Sequence, residues 1–545
     1  MTPLASVNTG SPDLVTRLFE RDTSLWTNDA AVSGTIENRL GWLSSAEWTR
    51  KQLPALKQWM IDILFDLEFG RVVVLGMGGS SLAPNVFANL FAPRPDFAQL
   101  TVLDSTAPEA IAAELAQDSS NTLYIVASKS GTTLETTDLY RVFYDQVSRC
   151  SSKPGQHFVA ITDPGSWLEQ HAKGQGFLKT FINPPDIGGR YSALSFFGMV
   201  PAAIAGVDVE TLIDRACDVA QACRNVDLKD NPGLRLGQFI GQQTIAGRDK
   251  MFLVRPDPLY SVSAWIEQLV AESTGKDGKG ILPVCVRQSQ FTPSALADDC
   301  FAVVLNNGVE AAPVENTRCY RLGLCSTLDI GGLFFQWQVA TAIASSYLGV
   351  NSFDEPNVSE AKQSTQQFIE TDATLNLVIK RDKSSYTMAV AEAAKSPVPF
   401  SASTYLSAES QHYVAVLAYF PITDEHCELL ASFSETLSAR YNVCCTTGFG
   451  PRYLHSTGQL HKGGARTGRF IQIVQEQQED NDIPVPGRDY TFGELIKAQA
   501  DGDMAILARR GLPVLRIVIK ARAASAIADV LADFDVLADF EESIQ

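Results

Sequence analysis

Leu123-Tyr124-Ile125-Val126-Ala127-Ser128-Lys129-Ser130-Gly131-Thr132-Thr133-Leu134-Glu135-Thr136 is the stretch on which the fold reading turns. Its apolar start is too short for a helix and too uniformly hydrophobic for a half-exposed strand, so it reads as a strand buried on both faces. The stretch that follows, Thr137-Asp138-Leu139-Tyr140-Arg141-Val142-Phe143, is compatible with a helix. Between the two lie five Ser or Thr hydroxyls within nine residues. A hydroxyl-rich loop at a helix N-terminus, where backbone N–H groups are free, suits an anion and points to a phosphorylated small molecule. The plain alternative is an N-cap or turn. A nucleotide P-loop is excluded, because the Gly-x-x-x-x-Gly-Lys-Ser/Thr spacing is missing.

Working outward, a second glycine turn, Gly76-Met77-Gly78-Gly79-Ser80-Ser81, follows the strand-like Arg71-Val72-Val73-Val74-Leu75. Its glycines do not keep the dinucleotide spacing Gly-x-Gly-x-x-Gly. Further short apolar runs, Leu100 to Leu103 and Phe158 to Ile161, alternate with helical patterning, which predicts an α/β fold with a doubly wound parallel sheet covered on both faces. A second alternating block starts near Gly206, with Met251 to Val254 and Phe301 to Leu305 as its clearest strands and a helix pattern from Val358 to Glu370. The chain turns polar and less periodic around Lys380 to Ser403. Beyond it Tyr413 to Tyr419, Arg469 to Val474 and Pro513 to Ile519 predict strands of a third α/β unit. The expected division is a helical lead-in at 1–65, α/β domains at 66–205 and 206–378, and a C-terminal α/β domain at 379–545.

At 545 residues the chain exceeds one ordinary core. A hydrophobic fraction of 45% with 19% charged residues is that of a globular protein. The net charge of −18 argues against nucleic acid or an anionic membrane as a general partner, so a phosphate site has to be positive locally. The N-terminal Met1 to Val7 has no basic region leading into an apolar stretch, and no signal peptide is expected. Ten cysteines without a Cys-x-x-Cys pair suggest reduced thiols and a cytoplasmic setting, with no zinc knuckle or disulfide framework. The uncharged segment from Ile330 to Phe353 contains Gln336, Gln338 and Asn351, which favours a buried helix over a membrane span.

Three clusters beside glycine turns or helix starts carry the remaining chemistry. Arg190 follows a Gly-Gly pair in Asp186-Ile187-Gly188-Gly189-Arg190-Tyr191-Ser192, where backbone can approach a ligand closely. Glu272 stands one helical turn after Gln268 and just before Gly275, in Glu272-Ser273-Thr274-Gly275-Lys276. Lys362 lies early in a helix after Asn351-Ser352-Phe353-Asp354-Glu355-Pro356. Singly, each reads as a surface or ion-pair residue.

Together with the two loops, in this order and spacing from about residue 70 to 365, they resemble the glucose-6-phosphate isomerase family with its sugar-isomerase (SIS) domains. That resemblance implies two SIS-type domains and interconversion of glucose 6-phosphate and fructose 6-phosphate through a cis-enediol. It implies Glu272 as the base that moves a proton between C2 and C1, once partial burial suits it to the task, and Arg190 as the fixed charge facing the enediolate. Ser128, Ser130, Thr133 and Thr136 would hold the phosphate, Gln268 and the Gly78-Gly79-Ser80 turn would line the sugar, and Lys362 joins the catalytic set. No metal, nucleotide or other cofactor is implied, and the partners reduce to a hexose 6-phosphate and, as an assembly left open, a homodimer.

Two departures mark the sequence. The family places a histidine between the base and lysine motifs, yet no histidine occurs between Glu272 and Lys362. The stretch Gly450-Pro451-Arg452-Tyr453-Leu454-His455-Ser456-Thr457-Gly458-Gln459-Leu460-His461-Lys462 resembles that histidine motif moved to the C-terminal domain, as in the isomerase portion of fused transaldolase/phosphoglucose isomerase polypeptides. His455 is preferred over His461 for ring opening. Glu355 replaces the family's glutamine, and because a carboxylate repels a phosphate dianion no ligand role is carried onto it. Rival readings are a non-catalytic SIS-type sugar-phosphate sensor and an isomerase of a related hexose or amino-sugar phosphate.

Overall fold

The computed structural model describes residues 11–66, 69–307, 318–371, 375–391, 412–476, 482–520 and 523–539. Two compact units share them. The first comprises the described residues up to Asp104 with Gln117–Glu355, and the second Ser105–Ala116 with Pro356 onward.

Five strands form the first sheet: β1 (Arg71–Gly76), β2 (Gln99–Leu103), β3 (Thr122–Ala127), β4 (Phe158–Thr162) and β5 (Lys179–Ile182). Their order is β2-β1-β3-β4-β5 and every pairing is parallel. Every residue of β3 is buried, which is why its sequence runs apolar without alternation. The strand order reverses between β1 and β3, and the crevice beyond the carboxyl ends at such a point is where ligands settle in open parallel sheets. The Gly76–Ser81 turn follows β1 and the Ser128–Thr136 loop follows β3.

A second sheet in the same unit, again wholly parallel, has the order β7-β6-β8-β9, with β6 (Lys250–Arg255), β7 (Leu282–Arg287), β8 (Cys300–Asn307) and β9 (Cys319–Leu324). One apolar core joins both sheets. Helical residues from the N-terminal 11–66 stretch belong to it: Trp42 stacks on Tyr191 at 5.0 Å, and Trp26 Nε1 donates to the Ala342 carbonyl at 2.9 Å. The uncharged Ile330–Leu348 segment is a helix buried along most of its length, and no described helix is long and apolar enough to cross a membrane.

The second unit holds a six-stranded mixed sheet in the order β10-β11-β15-β14-β12-β13. Strands β12 (Tyr413–Tyr419), β13 (Cys444–Phe449), β14 (Gly468–Gln475) and β15 (Val514–Ile519) run parallel, whereas β10 (Leu377–Asp382) and β11 (Tyr386–Ala391) pair antiparallel at one end. Sequence reading took part of this last stretch as a polar boundary. An edge hairpin tolerates charges such as Arg381 and Asp382, because among the described residues one side of β10 has no strand partner. The architecture is thus the expected α/β class: two parallel sheets and a C-terminal α/β unit.

Polar side chains are also sealed inside the second unit. Lys462 pairs with Asp503, each side chain only 1% exposed, and Tyr453 donates to Asp503 Oδ2 at 2.6 Å. The hydroxyls of Tyr453 and Tyr419 lie 2.7 Å apart. Arg516 pairs with Asp501, which also accepts from Lys497 at 2.8 Å.

Candidate functional site

The site is built from backbone first. Gly78 has φ +55°, and a Cβ at Gly79 would lie 2.1 Å from the Gly189 carbonyl oxygen and 2.9 Å from the Arg190 nitrogen. The turn after β1 and the short 3-10 turn Gly189–Tyr191 therefore touch backbone to backbone, a proximity that any side chain would prevent. That contact brings Arg190 to the carboxyl end of β1 in the first sheet.

The hydroxyl loop is folded on itself. Gly131, at φ +72°, is pressed against the Leu168 backbone, and its N–H donates to Ser128 Oγ at 3.1 Å. Ser128 Oγ lies 2.9 Å from Thr133 Oγ1. Thr133 occupies the N-cap position of the Leu134–Ser148 helix, yet its side chain makes no capping bond. The plain N-cap alternative is therefore not what this hydroxyl does. Ser130 and Thr132 are exposed, Thr133 is half-buried, and Ser128 and Thr136 are buried, with Thr136 Oγ1 lacking a hydrogen-bond partner among the described residues. Lys129 pairs with Asp163 and donates to the Pro185 carbonyl at 2.8 Å, tying the loop to the chain that leads into Gly188-Gly189-Arg190.

Arg190 is 4% exposed, and the five N–H groups of its guanidinium find five acceptors. Nε donates to Ser273 Oγ at 2.9 Å, Nη1 to Glu272 Oε1 at 3.0 Å and to Glu355 Oε2 at 3.2 Å, and Nη2 to the carbonyls of Ser352 at 2.7 Å and Asp354 at 3.0 Å. Burial opposes its charge, but the Glu272 and Glu355 carboxylates outweigh that and hold it more firmly protonated than usual. Glu272 lies near the end of the buried Tyr260–Thr274 helix, where Gln268 one turn earlier donates to its Oε2 at 3.1 Å. Both carboxylate oxygens are thereby oriented.

The sequence-predicted residues Gly78, Gly79, Ser80, Ser128, Ser130, Thr133, Thr136, Arg190, Gln268 and Glu272 all fall in the first unit. Lys362 and His455 belong to the second. Lys362 is exposed on the Pro356–Thr371 helix, and His455, half-buried, closes the 3-10 turn Arg452–His455. His461 is different. Its Nδ1 lies 2.9 Å from Tyr413 OH, its Nε2 has no partner among the described residues, and burial, with Lys462 beside it, drives the imidazole down to about 3. A histidine that stays neutral through the physiological range is poorly placed for proton transfer there.

Sequence reading missed Lys276, Tyr191 and the carbonyls of residues 352 and 354, and gave Glu355 no role. Their only signal was adjacency, Lys276 to Gly275 and Tyr191 to Arg190; backbone acceptors carry no residue-type signature.

Residues 66–282 match the family model described as phosphoglucose isomerase. A glucose-6-phosphate isomerase of Synechococcus sp. (strain JA-2-3B'a(2-13)) is 27% identical over 375 residues, covering 59% of this chain and 70% of that protein. The corresponding protein of Thermosynechococcus vestitus is 35% identical over 215 residues, 38% of this chain and 41% of its own length. Among solved structures, a glucose-6-phosphate isomerase from Chlamydia trachomatis has a similar fold, with TM-score 0.55 at 19% identity over 67% of this chain and 84% of that one. The matched segment contains both glycine turns, the hydroxyl loop, Arg190, Gln268 and Glu272, and it is over this segment that the chain is similar to phosphoglucose isomerases.

Proposed function

We propose that this protein interconverts glucose 6-phosphate and fructose 6-phosphate through a cis-enediol. The observation that carries the reading is the buried Glu272–Arg190 pair, 3.0 Å apart, at the unit that also bears the uncapped hydroxyl loop. A base needs a fixed carboxylate, and the enediolate needs a fixed cation; the guanidinium supplies the second in a water-poor setting where its charge counts most. In the forward direction Glu272 takes the C2 proton, Arg190 faces the oxygen that gains charge, the hydroxyl proton passes from O2 to O1, and Glu272 returns its proton to C1. Gln268 keeps the Glu272 carboxylate in one orientation throughout.

Ser130 and Thr133 are the hydroxyls that would meet the phosphate, with Ser128 bonded to Thr133 within the loop and Thr136 at its buried end. Binding energy from that remote phosphate orients the reacting carbons. Lys362 and His455 complete the proposed catalytic set, His455 as the ring-opening group. A cytoplasmic setting, a homodimeric assembly and the domain division at residues 65, 205 and 378 belong to the same reading.

The decisive test is a coupled assay for glucose 6-phosphate formed from fructose 6-phosphate, on wild type and Glu272→Gln. Activity in wild type and its near-complete loss in the variant are expected. An inactive wild type that still binds sugar phosphate would instead identify a sensor.

A further inference from the structure

Of the five acceptors around Arg190, three come from one short segment: the carbonyls of Ser352 and Asp354 and the carboxylate of Glu355. That segment lies between the Ile330–Leu348 and Pro356–Thr371 helices and has no strand or helix of its own to hold it. Something else must fix it. Phe353 N–H donates to Asn351 Oδ1 at 2.9 Å, and Ser352 Oγ is shared between Tyr191 OH at 2.8 Å and Ser345 Oγ at 3.0 Å. The Phe353 ring packs in the core against Trp26 and Tyr191, and a further restraint, on the polar side of the segment, is a buried ammonium. Lys276 Nζ donates to the Asn351 carbonyl, pairs with Asp354 Oδ1 at 3.1 Å and donates to the Ser273 carbonyl at 3.1 Å.

We infer that Lys276 is a positioning residue for the isomerase reaction, clamping residues 351–355 so that they hold the Arg190 guanidinium in register with Glu272. Nothing in the chemistry requires Lys276 to meet substrate; it works through the loop. Its own backbone is fixed by a tight turn in which Asp277 at φ +55° and Gly278 at φ +73° are both left-handed, and Lys276 exchanges hydrogen bonds with Lys279 across it. The Glu272 helix, this turn and the loop thus converge on one Nζ. A side chain with three donors and no acceptor suits a point where two carbonyls and a carboxylate meet.

The clamp is complete only while Lys276 is protonated, since a neutral amine could still donate to the two carbonyls but would lose the charge that pairs with Asp354. Burial, reinforced by the nearby Arg190 charge and opposed by Asp354 and Glu272, lowers its ammonium to about 8. The charged or titratable groups facing it are Arg190, Asp354 and Glu272, with Glu355 and Tyr191 bound to the same network. Below pH 8 the clamp is complete; above it the ion pair with Asp354 is lost and the loop loosens. An alkaline fall in kcat follows.

The proposal rests on the isomerase reading, and the experiment separates the two. Lys276→Met and Asp354→Asn are compared with wild type by steady-state kinetics and by hydrogen exchange. A guanidinium displaced by about 1 Å costs up to about 100-fold in rate, so kcat is expected to fall about 10–100-fold while KM changes less than about threefold. Exchange at residues 351–355 should rise in both variants whether or not the protein is an isomerase. Lys276→Arg, whose charge does not titrate in this range, should move the alkaline limb above pH 9. The clamp is wrong if Asp354→Asn keeps kcat within twofold and leaves exchange at 351–355 unchanged, or if Lys276→Arg retains the wild-type alkaline limb. Wild type without turnover, but with faster exchange in the variants, sinks the isomerase reading and leaves the clamp standing.

Discussion

Two buried ion pairs, one in each unit, look alike on paper and behave as opposites. Arg190–Glu272 in the first unit and Lys462–Asp503 in the second are both withdrawn from water. The Lys462 pair is closed on every recorded side: Tyr453, which bonds Asp503, and Tyr419 behind it are themselves buried. Arg190 instead shares one nitrogen with Glu355, whose side chain is 40% exposed, and it follows a glycine pair against which Gly79 packs without a side chain. A buried charge pair is costly to assemble and costlier to break from one side. Burial therefore does not single out a site. An exposed flank and glycine turns that meet backbone to backbone set the Arg190 pair apart.

The sharpest way to break this contrast is to exchange the two kinds of damage. Glu272→Gln should lower kcat about 1,000-fold, the loss of a general base, and lower the urea midpoint less than Lys462→Met does, because Arg190 keeps the Glu355 carboxylate as a counter-charge. Equal losses of activity and stability there would erase the distinction. Lys462→Met leaves Asp503 buried without its cation and should cost about 3–5 kcal/mol of unfolding free energy, read by denaturant titration. Any surviving folded fraction should turn over at the wild-type rate per molecule, checked by active-site titration. A variant that is stable but slow would move Lys462 into the catalytic set.

His461 offers a smaller effect with a definite sign. Its folded-state value of about 3 lies below the ordinary 6.5, so between these limits the unfolded chain binds a proton that the folded one refuses. Its contribution to stability is intact above pH 6.5 and is lost as the pH falls toward 3. The loss should reach about 2 kcal/mol at pH 5. His461→Phe should remove that part of the acid sensitivity, seen by comparing urea midpoints at pH 7 and pH 5. Its pH–rate profile should match wild type between pH 6 and 8, whereas His455→Ala should slow reaction of the cyclic sugar.

Smallest are the loop hydroxyls. Ser130→Ala and Thr133→Val each remove one hydrogen bond to a charged phosphate, about 1.5 kcal/mol, or roughly tenfold in KM, with kcat changed less. A purely structural loop would show the reverse, a stability loss with KM intact.

Much of the fold was legible because burial writes itself into residue type. β3 reads apolar at every position since both faces are covered, and β12 does so for the same reason. The edge pair β10 and β11 was not legible, because an edge strand with Lys380 to Lys383 at its end resembles a polar linker. For the site, Arg190 and Glu272 stood out by their glycine neighbours, but nothing in the string says that residues 82 positions apart meet at 3.0 Å. The carbonyls of Ser352 and Asp354 were invisible, since every residue carries one. Lys276 carries no signal beyond its place after Gly275, because the Asn351 carbonyl that it meets lies 75 residues away.

By itself, then, the sequence determined the local objects: a buried strand, a hydroxyl loop opening a helix, glycine pairs, and a glutamate and an arginine beside them. These depend on side-chain polarity and backbone freedom over a few residues, which the order of amino acids states directly. Tertiary structure alone decided that β1 and β3 are neighbours, that their loops open on the same edge, that Gly79 meets Gly189, and that five acceptors close around one guanidinium. Those facts depend on strand order and on backbone atoms common to all residues. They become visible only when the chain has been laid against itself.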